Sequence, residues 1–202
     1  MGIPLHLPAA MKNFLKIAQG VDVTPLALEL HQHPELWNVD EERLSPNGPH
    51  RESDDIWIRM NDRTAFQESG NWKGFNDEHE SIWYPGFYAL PSVRKIVFDL
   101  ARRVEAERIG DIMIWRLKPG AKIHPHVDKS WHVGHYDKFN VCIQGQPGAA
   151  FVYEDEAIED RPGDVHRFVN TVEHSVVNRS SEDYIVMVVC LRTHDYERRY
   201  KR

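Results

Sequence analysis

Asp111-Ile-Met-Ile-Trp-Arg-Leu-Lys-Pro-Gly-Ala-Lys-Ile-His-Pro-His-Val-Asp128 is the stretch on which the reading of this chain turns. Residues 112–117 are an apolar run of strand length, Pro119-Gly120 is a turn pair, and residues 122–127 resume an extended run. The same alternation of short apolar run and turn continues to near the end of the chain. Residues 137–143 are followed by Gly145-Gln-Pro-Gly148, and residues 150–153 by an acidic stretch over 154–160. The turn Arg161-Pro-Gly-Asp164 then leads into residues 165–169, 175–177 and 184–191. Seven or eight short strands separated by turn residues predict a barrel or sandwich over residues 111–193.

Upstream, the pattern changes character. Residues 1–110 read as helical and loop-rich. An apolar-faced helix is expected over residues 11–18. A second begins at Thr24-Pro25, with Thr as cap and Pro at the first helical position, and runs to His31. Residues 38–55 read as loop, residues 56–60 as a short strand, and residues 62–85 as a long ordered loop. In the best helix, over residues 91–107, Val93, Ile96, Val97, Leu100 and Val104 share one face, and Gly110 supplies its stop. The expected fold is mainly β with flanking N-terminal helices, in one domain of 202 residues.

Composition excludes several classes. The longest apolar run is far short of a membrane span. The start, broken by Pro4 and Pro8 without a basic flank, is a poor secretory signal, so a cytoplasmic protein is expected. A net charge of −6 argues against non-specific nucleic-acid binding. The basic residues 198–202, in the tail 194–202, read as a solvated end. Cys142 and Cys190 both lie within apolar runs and read as buried free thiols. Histidine is the surprise. There are 12, and six of them fall between His124 and His174, which favours a metal or acid–base site.

His126-Val-Asp128, with His174 far downstream, offers two imidazoles and a carboxylate. That is the ligand set of non-haem Fe(II) oxygenases, which leaves positions open on the metal. Side chains alternate along a strand, so the His-x-Asp spacing puts both on one face, and His174 must come from a distant strand. His124 shares the face and is a candidate to support the ligands.

Two stretches resemble the aspartyl/asparaginyl β-hydroxylase family. One is Trp115-Arg-Leu-Lys-Pro-Gly-Ala-Lys-Ile-His-Pro-His126; the other is Pro162-Gly-Asp-Val-His-Arg-Phe-Val-Asn-Thr-Val-Glu-His-Ser-Val-Val-Asn178. The likeness extends over residues 111–192, and more loosely to His33-Pro-Glu-Leu-Trp37 and His50-Arg-Glu-Ser-Asp-Asp-Ile-Trp-Ile-Arg59. It implies a double-stranded β-helix (a jelly-roll or cupin-like barrel), Fe(II), 2-oxoglutarate and oxygen, with His126 as first ligand and His174 as last. The product would be a hydroxylated C–H of a small-molecule or peptide substrate, with succinate and CO2 released. Animal members of the family lack the carboxylate, whereas this chain has Asp128 and so resembles the fuller triad of most 2-oxoglutarate oxygenases.

The cosubstrate end departs from the family pattern. Tyr184 stands where the family has an Arg ten residues after the distal His, and Trp115 stands where it has an early-strand Ser. A buried dicarboxylate needs a cation. Lys138, with Asn140 two residues on, is the first candidate to meet it, and Arg192 is the reserve. Arg51, Trp83, Tyr84, Trp131 and His135 are candidates for the substrate wall or lid. Two rival readings remain. One is a cupin-type metal enzyme using His124, His126 and His166; the other is a non-enzymatic ligand-binding barrel.

Overall fold

The apolar run at the C-terminal end of the barrel shows how the molecule is layered. In the computed structural model, which describes residues 12–39, 45–70 and 81–193, Tyr184–Arg192 is one strand, and all of it but the last residue is buried. Ile185, Met187, Val189 and Leu191 face one core, while Tyr184, Val186 and Val188 face another. A strand covered on both faces needs apolar side chains at every position, so its sequence shows no polar alternation.

Eleven strands are present among the described residues: β1 (Phe14–Ala18), β2 (Ser53–Met60), β3 (Ile82–Trp83), β4 (Arg108–Leu117), β5 (Lys122–His126), β6 (Asp137–Gln144), β7 (Ala149–Val152), β8 (Ala157–Ile158), β9 (Val165–Phe168), β10 (His174–Asn178) and β11 (Tyr184–Arg192). They form a larger sheet in the order β1-β9-β6-β11-β4-β2-β3 and a smaller one in the order β5-β10-β7-β8. All strand pairs are antiparallel. The helices are α1 (Thr24–Gln32), α2 (Thr64–Ser69), α3 (Pro85–Ala89), α4 (Ser92–Arg103) and α5 (Trp131–His135), with one 3₁₀ turn, Pro34–Leu36.

The two sheets enclose the inner core of Trp115, Leu117, Phe151, Val176 and Val186. The outer face of the larger sheet is covered by Leu26 and Leu30 of α1, Phe87 of α3, and Val93, Val97 and Leu100 of α4. This is the expected mainly β fold with flanking N-terminal helices, a double-stranded β-helix.

Several local expectations are overturned. Residues 14–18 form a strand rather than a helix: the open edge of β9 offers its backbone groups, and Phe14 pairs opposite Phe168. Tertiary pairing outweighs a short helical pattern here. The polar Ser53, Asp54 and Asp55, read as loop, begin β2, because Asp54 pairs with Arg116 at 2.7 Å across the strands. The long loop over 62–85 contains α2 and β3, while its residues 71–80, with Trp72 and Gly74, lie outside the described residues. Gly110 does not stop α4 but lies inside β4, where a Cβ would meet the Tyr136 ring at 2.9 Å. The basic tail, residues 194–202, also lies outside the described residues.

Candidate metal centre and its cavity

His126 is the last residue of β5 and His174 the first of β10, and the antiparallel register sets them directly opposite each other. Their ring centroids are 4.4 Å apart. Each ring is oriented by the backbone. His126 Nδ1 lies 2.8 Å from the carbonyl of His124, and His174 Nδ1 lies 2.8 Å from that of Val172. A carbonyl can only accept, so Nδ1 carries the proton in both rings, and Nε2 of each is left as a lone-pair donor to a metal. Burial lowers the His174 pKa to about 4, so near neutral pH it is the uncharged imidazole that a cation requires. Its ring stacks on Phe151 with centroids 5.4 Å apart.

Asp128 lies two residues past the end of β5, so strand geometry does not fix its side chain. Other contacts do. Its backbone N–H donates to the carbonyl of Asn170 at 3.1 Å. Its Oδ2 accepts from Lys138 Nζ at 2.6 Å and from Asn170 Nδ2 at 3.3 Å. Its Oδ1 is turned toward His126 Nε2, 3.5 Å away. Burial opposes the charged carboxylate, but the Lys138 ammonium more than reverses that, and the group is held well below the usual carboxylate range. One ligand atom from each of His126, Asp128 and His174 lies within 4.8 Å of the others. Two oriented, uncommitted Nε2 atoms and one anionic oxygen fit a divalent cation that prefers mixed nitrogen and oxygen donors.

The three side chains line a cavity of about 610 Å³ between the sheets. Lys138 and Asn140 of β6 line it too, as does Trp115 of β4. Asn140 is only 1% exposed, and its Oδ1 has no hydrogen-bond partner among the described residues. A buried amide oxygen left bare at a cavity wall invites a polar ligand or a bridging water. The remaining wall is largely apolar, with Ile123, Phe151, Phe168, Val176 and Val188.

Other candidate residues lie elsewhere. Tyr184 is fully buried behind the wall, edge-on to Trp115 with centroids 5.2 Å apart, and does not itself line the cavity. Arg192 is engaged outside it, with Nη1 3.1 Å from His135 Nε2 and Nε 3.5 Å from Glu107. Arg51 donates to the carbonyl of Gly48 and lies 2.9 Å from His124 Nδ1. Trp83 stacks on Phe87, and the Tyr84 hydroxyl donates to the carbonyl of Asn61 at 2.7 Å. Trp131 stacks on His135. None of these seven candidates lines the cavity.

The rival set of His124, His126 and His166 is not brought together. The His124 ring turns out to Glu52 and Arg51, and His166 is buried against Asp160 at 2.7 Å, away from the cavity. His124 supports the site through its carbonyl, not its ring.

Sequence reasoning passed over several residues that do reach the site. His50, next to Arg51, lines the cavity with its ring centroid 5.1 Å from that of His126. Asp111 lines it too, 3.2 Å from His132, which from sequence reads, with His135, as part of a polar loop able to cover the site. Asn170 holds Asp128. His50 lies in the upstream segment that loosely resembles the family, a signal that could have pointed to it, but nothing local marks Asn170.

A family model described as aspartyl/asparaginyl beta-hydroxylase matches residues 87–193, more than half of the chain. Among solved structures, the fold is similar to a Pseudomonas putida prolyl-4-hydroxylase, with TM-score 0.55 and 15% identity, over 92% of this chain and 95% of that one. It is also similar to an oxidoreductase of the 2OG-Fe(II) oxygenase family from Burkholderia pseudomallei. There the TM-score is 0.51 and the identity 15%, over 83% of this chain and 79% of that one. At such identities these two structures speak for the fold alone. No curated protein matches the chain.

Proposed function

The chain belongs to the aspartyl/asparaginyl β-hydroxylase family of Fe(II)- and 2-oxoglutarate-dependent oxygenases, and on that premise we propose that it hydroxylates an unactivated C–H of a small-molecule or peptide substrate. The observation that carries this is the convergence of His126, Asp128 and His174 on one cavity, with one ligand atom of each within 4.8 Å of the others. When bound, Fe(II) with 2-oxoglutarate supplies the oxygen activation for hydroxylation, with succinate and CO2 as co-products.

The chain's own residues have separable tasks. His126 and His174 present their Nε2 atoms in orientations fixed by backbone carbonyls, so little reorganisation accompanies metal binding. Asp128 offsets part of the cation's charge through its inward oxygen. Lys138 donates to Asp128 at 2.6 Å and stands at the cavity wall, where its ammonium supplies the positive charge that a cosubstrate carboxylate needs. Asn140, beside it on β6, offers a buried amide with an unmet oxygen. The Trp115 and Tyr184 positions supply no cation, so Lys138 with Asn140 is the proposed anchor for the far carboxylate. Phe151, Phe168 and Val188 keep that part of the cavity dry, which strengthens each charge contact made inside it.

An anaerobic titration with Fe(II) and 2-oxoglutarate, followed by succinate measurement in air, tests this reading. One ion and one 2-oxoglutarate per chain are expected, with slow succinate release even without substrate, and His174→Ala should abolish both binding and release. A wild-type chain that binds neither the ion nor 2-oxoglutarate would show the oxygenase reading to be wrong.

A further inference from the structure

Asp128 is the one member of the triad that no strand holds, and two of its three side-chain and backbone anchors come from a single residue. Asn170 is 6% exposed and lies in the turn between β9 and β10. Its carbonyl accepts the Asp128 backbone N–H, and its side-chain amide donates to Asp128 Oδ2. Lys138, paired opposite Phe168 of β9, donates to the same oxygen. The outer oxygen is therefore engaged twice, and only Oδ1 faces His126 Nε2. Two residues along the same turn, the carbonyl of Val172 orients the His174 ring. Residues 170–173 thus set two of the three ligands from one piece of backbone.

We propose that Asn170 is a positioning residue for the metal centre, clamping Asp128 with Lys138 so that the carboxylate offers a single oxygen to the ion. This rests on the reading of His126, Asp128 and His174 as metal ligands. It acts through Asp128 and touches no reacting atom. A carboxylate with one oxygen already satisfied by an ammonium and an amide has little incentive to chelate through both, so further positions on the metal stay open for other ligands. Hydrogen bonds to ligating carboxylates commonly account for about 10–100-fold in metal affinity.

The test uses Co(II) in place of iron, titrated into the full chain without cosubstrate and followed by its visible d–d bands. Asn170→Asp keeps the size and the backbone bond but replaces the donor by an acceptor facing Asp128 Oδ2. Asn170→Ala removes the donor outright, and thermal melting of each metal-free variant reports whether it is folded. Co(II) affinity should fall about 10–100-fold in both, with altered d–d bands, because the released carboxylate can rotate. In an Asp128→Ala background, Asn170→Ala should cause no further loss, since the effect runs through the missing carboxylate. A purely structural role would predict additive losses and unchanged bands. Unchanged Co(II) affinity in a folded Asn170→Asp chain, or full additivity with Asp128→Ala, overturns the proposal while leaving the triad standing. A wild-type chain that binds no Co(II) overturns both.

Discussion

At the scale of single residues, close approach matters as much as chemistry. Gly110 sits in β4 with the buried Tyr136 ring lying where a side chain would be, three ring atoms within 3.0 Å of a built Cβ. The ring is enclosed and cannot retreat as a flexible chain end would. Gly110→Ala should therefore destabilise the fold by about 1–3 kcal/mol, measured by urea denaturation, although glycine-to-alanine inside a strand is otherwise favourable. A variant as stable as the wild type would mean that the ring moves aside freely. Gly110 also shows why some residues are misread from sequence. It follows a strong helical pattern, and only the fold reveals that Tyr136 is its neighbour. The ligand candidates were legible for the opposite reason. A two-residue spacing followed by a distant histidine is visible in one dimension, whereas the amide of Asn170 and the ring of His50 acquire meaning only once β5 and β10 are paired.

At the scale of elements, the one-turn helix α5 closes one side of the cavity with Val133 and His132. It is too short to persist by propensity alone. Ser130 caps it, accepting from the Val133 N–H at 3.2 Å, and His132 ties it to Asp111 of β4 at 3.2 Å. Ser130→Ala should cost about 1 kcal/mol locally, seen as roughly fivefold faster amide hydrogen exchange over residues 133–136. Unaltered exchange there would show that the Asp111–His132 contact holds the helix by itself. Sequence alone gave a polar loop at this place, because five residues cannot display a helical period. β1 was misread for a related reason. Its five residues fit a short helix as well as a strand, and the choice is made by the free edge of β9. The long runs posed less of a problem: β4, β6 and β11 are rich in β-branched and aromatic residues, and turns mark the ends of the runs.

At the scale of the whole molecule, the two-layer β architecture follows from having too many apolar strand residues for one face. β11 alone feeds both cores with alternate side chains. The arrangement of the cores also decides which end of the barrel is open. Leu117, Cys142, Ala149 and Tyr184 are buried and close the space between the sheets at one end, whereas the candidate ligands stand in the cavity beyond them. A vessel stoppered at the bottom imposes a queue. Whatever is to lie deepest must arrive first and depart last, so the two reactants cannot bind in random order. Initial-rate patterns should accordingly show a compulsory sequence, with the 2-oxo acid leading and the molecule to be hydroxylated following. An inhibitor competing with the second reactant would then be uncompetitive against the first, and a noncompetitive pattern would mean that the stopper leaks.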